Sequence, residues 1–189
     1  MPPKPLIHKE DLLKTALNLV REEGMEAINA RRLAKALDCS TKPLFRLYPS
    51  MDKLKEDVKA ELDRYYDAFM SSRIDNKNRL LSQGIAYIEF ARNEKMIFNA
   101  LFMNMTLAGS SLQDIVHADW NRASIENARA VTGLAMEEAE MLFINFWLYS
   151  HGVATQIVSN SIDIPMDTVR LLMSDAFIRF SARPTDNTP

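Results

Sequence analysis

Residues 28–54 read INARRLAKALDCSTKPLFRLYPSMDKL, and the spacing of that stretch decides how the rest of the chain is read. Ala30, Leu33, Ala34 and Leu37 fall at i, i+3, i+4 and i+7, which predicts a short helix with an apolar stripe inward and Arg31, Arg32 and Lys35 outward. Asp38 and Cys39 break the pattern. Ser40 or Thr41 then caps a second helix by accepting a bond from an amide that the first turn leaves unpaired, and Pro43 suits that turn because it has no amide to satisfy. The second helix spans Thr41 to about Leu47 and is anchored by Leu44 and Leu47. Thr41, Lys42 and Arg46 remain on its exposed side and amino-terminal end, where hydroxyl, ammonium and guanidinium groups suit base edges and phosphates. Pro49 stops this helix, Ser50 caps the next, and Lys53 faces the same surface.

The flanks support a reading head. A preceding helix from about His8 to Glu23 carries Leu12, Leu13, Ala16, Leu17 and Val20 on one face and stops at Gly24, and its first turn holds Glu10 and Asp11 at the positive end of the helix dipole. The following helix continues from Ser50 to about Ser72, on the order of 30 Å at 1.5 Å per residue. The run resembles the helix-turn-helix of the tetracycline-repressor (TetR/AcrR) family of transcription factors, through Ile28, Arg31, Leu33-Ala34-Lys35, Ser40, Leu44-Phe45, Tyr48, Ser50 and Leu54 without a gap. It departs at Asp38, where the family usually has glycine, and at Phe45, where it often has tyrosine. Asp tolerates the left-handed backbone such a turn needs, whereas Phe45 has no hydroxyl for a phosphate.

Residues and resemblance together give a DNA-facing set of Asn29, Arg31, Ser40, Thr41, Lys42, Pro43, Phe45, Arg46, Tyr48 and Lys53. Lys42 and Thr41 are expected on bases, Arg46 on a base or phosphate, and Asn29, Arg31 and Lys53 on phosphate. The resemblance adds His8 and Lys9 as phosphate contacts, and it implies a homodimer on a palindromic double-stranded operator that a small-molecule effector, of unidentified chemistry, releases. The same residues also fit a competing class, an all-helical small-molecule-binding or protein-interaction module without an operator, whose Arg and Lys only solvate a surface.

The 189 residues are 47% hydrophobic and 25% charged, enough for a head and a larger helical body with its own core. The net charge of −2 is unevenly spread: residues 1–60 hold 12 Lys and Arg against 9 Asp and Glu, and the remainder 11 against 16. Positive charge therefore gathers where the motif lies. The single cysteine, Cys39, excludes an internal disulfide and fits a reducing compartment. The start, MPPKPLIHKED, lacks a signal-type apolar core and the run Met141 to Tyr149 is interrupted by Asn145, so a cytoplasmic protein with no membrane partner is expected.

An all-α chain of about nine helices follows, divided as 1–50 (DNA-binding head), 51–72 (connecting helix) and 73–189 (effector-binding and dimerisation body). The polar stretch Arg73 to Asn78 reads as a linker. Helices are expected at Leu80 to Ala91, Glu94 to about Met105, Leu112 to Val131 with a break near His117, Met136 to about Ser159, and from Pro165 onward, with a turn at Ala108 to Ser111. The Met136–Ser159 segment is apolar on nearly all sides and must be covered twice. The stretch FARNEKMIFNALFM and Trp147 with His151-Gly152 resemble a carboxy-terminal subgroup of the family, which implies an effector pocket and dimerisation through the last two helices. Pocket walls are expected from Tyr87, Phe90, Phe102, Met103, Trp120, Phe143 and Trp147, and a dimer interface from Trp147, His151, Leu172, Ala176 and Phe177.

Three histidines, His8, His117 and His151, show no ligand spacing with one another or with Cys39, so no metal is expected. No phosphate loop or nucleophile elbow occurs, and neither an enzyme nor a cofactor is expected. His151 beside Gly152 reads as a hydrogen-bonded core histidine next to a small residue that lets two helices approach.

Overall fold

The computed structural model describes residues 7–103 and 111–182 and, over them, ten α-helices and no strand. In chain order these are α1 (Lys9–Glu23), α2 (Ala30–Ala36), α3 (Lys42–Leu47), α4 (Met51–Ser71), α5 (Arg79–Asn93), α6 (Lys95–Phe98), α7 (Leu112–Val116), α8 (Asp119–Thr132), α9 (Met136–Val158) and α10 (Met166–Ser181). The expected turn at Ala108 to Ser110, the proline-rich start and the polar tail from Arg183 lie outside the described residues. Two compact units result: one takes the described residues up to Ala68 and from Glu94 to Met103, the other those of 69–93 and from Ser111 onward.

In the first unit, α1 stops where the sequence predicts. Gly24 has φ +85°, its amide donates to the Val20 carbonyl at 2.9 Å, and a Cβ there would lie 2.9 Å from Met96 Cε. The backbone angle favours glycine, whereas the flexible end of Met96 could give way to a Cβ. Leu12, Ala16 and Val20 of α1 share this unit's core with Leu33, Leu44, Leu54, Val58, Ile97 and Phe98, all buried; each such aliphatic side chain contributes roughly 1.5–3 kcal/mol. The expected single helix from Glu94 to Met105 is instead the short α6 followed by one π-helical turn, Asn99–Met103. That turn buries Leu101 and sets Phe102 against Tyr66 and Phe98, with ring centroids 5.0 Å from each. The wider turn accompanies this ring packing and carries no local sequence signal.

Glu94 ties this segment to α1. Its carboxylate accepts from Arg21 Nε at 2.8 Å and from the Tyr65 hydroxyl at 2.6 Å, and the Arg21 guanidinium lies over the Tyr65 ring at 5.3 Å.

In the second unit, α9 packs against α5, α8 and α10, which is how a helix apolar on nearly all sides is covered. The approach of α5 depends on Gly84, where a Cβ would meet Phe146 Cε1 at 2.5 Å, Met173 Cε at 2.8 Å and Ser150 Oγ at 3.0 Å. The close crossing expected at Gly152 falls there instead: nothing lies within 4 Å of a Cβ built on Gly152. The break near His117 is present, since α7 ends at Val116 and α8 begins at Asp119. Ser111 caps α7 reciprocally, its Oγ accepting from the Asp114 amide at 3.2 Å while Asp114 Oδ2 accepts from the Ser111 amide at 2.6 Å. The polar segment before α5 is held to α8 by Asn127, which accepts from the Arg79 amide at 2.7 Å and donates to the Asn76 carbonyl at 2.8 Å.

Candidate nucleic-acid interface

The helix-turn-helix is built from local rules. Asn29 is the amino-terminal cap of α2, its Oδ1 accepting from the Arg32 amide at 2.9 Å, and its Nδ2 donates to the Ala27 carbonyl at 3.3 Å. Asparagine directly before a helical run is a cap signal, and the sequence reading gave it only a phosphate. Leu33 and Ala34 are buried, whereas Arg31 and Lys35 are exposed. Between α2 and α3 the chain turns through Asp38 at φ +48°, the left-handed conformation expected of it. The amide of Cys39 then donates to the Ala34 carbonyl at 2.9 Å. Thr41 occupies the cap of α3 without a side-chain capping bond, with Pro43 in the first turn, so its hydroxyl is not spent on the helix end as expected.

On α3, Leu44 is buried and Lys42 and Arg46 are exposed, while Phe45 presents an aromatic ring that is 51% accessible. Ser40 is exposed and Pro43 half-buried. Tyr48 differs from its neighbours: its ring belongs to the core at 3% exposure, and its hydroxyl donates to Asp57 Oδ2 at 3.2 Å.

The cations sort into two groups. Arg32 is bound by Glu23 through Nε at 3.0 and 3.1 Å and through Nη2. Lys9 Nζ lies 2.6 Å from Asp57 Oδ2, and Lys53 Nζ lies 2.9 Å from Glu56 Oε2 and 3.5 Å from Asp57 Oδ1. These contacts move the charges as expected: the bond from Lys9, with help from Tyr48 and Lys53, holds the Asp57 carboxyl below its ordinary range, and Glu56 raises Lys53. Burial pushes the Tyr48 phenol up. Arg31, Lys35, Lys42 and Arg46, by contrast, have no ion-pair partner among the described residues. All four lie on α2 and α3. The pairing of Lys53 with residues three and four further along α4 was available from helical spacing, but the link from Lys9 to Asp57 crosses 48 positions and had no local signal.

The residues expected around an effector are distributed over both units. Phe102 and the 41%-exposed Met103 belong to the first. In the second, Phe90 and Phe143 are core, Trp120 is 78% exposed, and Tyr87, Trp147 and His151 come together. The Tyr87 hydroxyl is 2.9 Å from His151 Nδ1, and Trp147 stacks on the imidazole at 6.4 Å between centroids. Burial lowers the His151 pKa below the usual imidazole range. An open depression of about 380 Å³ lies elsewhere, lined by Glu126, Arg129, Ala130, Gly133 and Leu134. Of the residues expected at a dimer face, Leu172 is exposed while Ala176 and Phe177 are buried, Phe177 edge-on to Phe146 at 5.9 Å. Among the exposed apolar side chains of the last two helices, Met141, Leu148, Leu171 and Ile178 are the barest, with Met136, Leu172 and Phe180 less so. No helix of the described residues is long and apolar enough to cross a membrane. No group of three or more metal-ligating side chains is gathered among them.

Over 98 residues the chain is 32% identical to the nucleoid occlusion factor SlmA of Haemophilus ducreyi. The alignment takes in 49% of this chain and 48% of that protein, so the chain spans about half the length of the curated relative it matches. No family model matches the chain. The partial likeness supports a TetR-like regulator at the level of family.

Proposed function

We propose that this protein is a sequence-specific DNA-binding transcriptional regulator, a repressor whose homodimer holds a palindromic operator and is released by a small-molecule effector. The observation that carries the reading is the exposed surface of α2 and α3, where Arg31, Lys35, Lys42 and Arg46 have no ion-pair partner among the described residues and the ring of Phe45 is exposed. A polyanion supplies the missing partners: phosphates for Arg31 and Lys35, base edges for Lys42 and Arg46, and a thymine methyl for Phe45. Residues 1–50 act as the head and 73–189 carry the effector and dimer functions, with the helix between them as the connection.

The exposed hydrocarbon of Met141, Leu148, Leu171 and Ile178 supports an isologous interface made by α9 and α10 of two copies. Two heads joined this way read half-sites about one duplex turn, roughly 34–36 Å, apart. Release is a population shift, in which the effector's preference for the form that does not fit the operator supplies all the free energy available.

A second reading follows from the relative's name: a nucleoid occlusion factor, whose duplex sites need not lie beside promoters. Selecting duplexes from a random pool and mapping the chosen sequence in the genome tests both. Enrichment of one palindrome beside promoters is the expected result; a scattered motif favours the second reading, and no enrichment removes the DNA-binding proposal.

A further inference from the structure

Three structural elements converge on one carboxylate in the first unit. Lys9 opens α1, Tyr48 directly follows α3, and Lys53 lies in the first turn of α4; their polar atoms stand 2.6, 3.2 and 3.5 Å from the oxygens of Asp57. Lys9 Nζ also sits 5.0 Å from the Tyr48 ring centroid. Both lysine side chains are 53% exposed and Asp57 is 23% exposed, so solvent reaches the ammonium groups while the carboxylate sits behind them. Two ammonium charges, one hydroxyl donor and the Asp57 carboxylate make up the cluster, and Glu56 Oε2 also holds Lys53 Nζ, at 2.9 Å. This is the arrangement that a backbone phosphate meets on a helix-turn-helix surface, with a carboxylate already in the anion's place.

We propose that Asp57 is a specificity-determining residue, a built-in counter-anion that masks Lys9, and with Glu56 also Lys53, from duplexes that α3 does not fit. The inference rests on the DNA-binding reading above. Approach to an arbitrary duplex exchanges one ammonium–anion contact for another of similar strength, so these two lysines add little to non-specific affinity. Arg31, Lys35, Lys42 and Arg46 have no such contact to exchange and contribute fully. When α3 seats on a fitting sequence, the phosphate geometry is held in place and the two lysines share it with Asp57.

The test compares Asp57→Asn with Asp52→Asn, which removes the same charge from the same helix at an exposed position with no ion pair among the described residues. In the free protein, acetylation of Lys9, followed by mass spectrometry, is expected to accelerate severalfold in Asp57→Asn, with a smaller change at Lys53, which Glu56 still holds, and no change at either in Asp52→Asn. On a random-sequence duplex, Asp57→Asn is expected to bind severalfold tighter at low salt, with a salt slope steeper by about one, close to the counterion released by one newly engaged cation, Lys9, since Glu56 still holds Lys53. Affinity for the selected duplex rises less, so discrimination narrows. A Lys9→Gln, Lys53→Gln double variant of the parent is expected to change the random-duplex slope by less than one despite losing two charges, which keeps the proposal testable if Asp57→Asn does not fold. Equal behaviour of the two Asn variants overturns it, as does weaker binding of both duplexes by Asp57→Asn or a full two-unit loss of slope in the double variant. If acetylation accelerates but neither parent nor variants bind any duplex, the DNA-binding reading fails and the proposal falls with it; if the parent binds duplexes normally, failure belongs to the masking alone.

Discussion

The two units leave different chemistry uncovered. The first buries its hydrocarbon almost completely, apart from Phe45 and Met103, and exposes cations of α2 and α3 without carboxylate partners. The second exposes Met141, Leu148, Leu171 and Ile178 on α9 and α10, and the charges of α10 are paired locally, Arg170 with Asp167 and Arg179 with Asp175. Unpaired charge costs little in water and gains most from a polyanion. Exposed hydrocarbon costs roughly 25 cal/mol per Å² and gains most from another apolar face. A single chain thus carries one surface suited to nucleic acid and another suited to a second copy.

The largest expected effect breaks the second unit outright. Gly84→Leu forces side-chain atoms into Phe146 and Met173 and is expected to cost about 3 kcal/mol or more. In thermal unfolding that is a drop of about 10 °C, with residues of the second unit losing amide-exchange protection first. Unchanged melting would mean that α5 does not approach α9 as described.

Next is the apolar stripe. Leu171→Glu with Ile178→Glu is expected to weaken self-association a hundredfold or more while leaving the monomer folded. Light scattering of the parent at micromolar concentration should give twice 21.6 kDa and the variant 21.6 kDa. A monomeric parent contradicts the assignment of this face.

The cations of the first unit separate by kind. Lys42→Ala and Arg46→Ala are each expected to cost about 1–3 kcal/mol on the selected duplex and relax its sequence preference, whereas Arg31→Ala weakens all duplexes and flattens the salt slope by about one. Identical losses for all three would mean that α3 does not read bases.

The smallest effect concerns His151. Its folded pKa is depressed by burial, so between the ordinary imidazole value and the lowered one the unfolded chain binds more protons. Stability is then fully present above about pH 6.5 and falls as the pH drops through that window. Melting temperature measured from pH 7.5 to 5.5 is expected to decline, and His151→Gln to flatten the decline.

Much of the fold was legible because it rests on local chemistry. Gly24, Pro43, Ser50 and Pro165 punctuate helices where their backbone preferences require, and Asp38 takes the left-handed turn. Phase was harder to read on α10, where Leu171, Leu172, Met173, Ala176, Phe177, Ile178 and Phe180 surround the axis. Helical spacing picks out Val169, Leu172, Met173, Ala176, Phe177 and Phe180, but it could not say that Ala176 and Phe177 are covered within the chain while Leu171 and Ile178 face out. The π-turn at Asn99 to Met103 carries no local sequence signal, and the grouping of Glu94 with Arg21 and Tyr65 comes from contacts remote in sequence. In the interface, the outward cations were legible from helical spacing, whereas which of them carry a carboxylate partner was not, since Lys9 and Asp57 meet only in three dimensions.

Amide hydrogen exchange of the protein with and without the selected duplex tests the central claim most directly. New protection is expected at the start of α1, across α2 and α3 and in the first turn of α4, with the exposed stripe of α9 and α10 unchanged at a protein concentration where the dimer is already formed. Protection that appears on α9 or α10 and leaves α3 exchanging as before would contradict it.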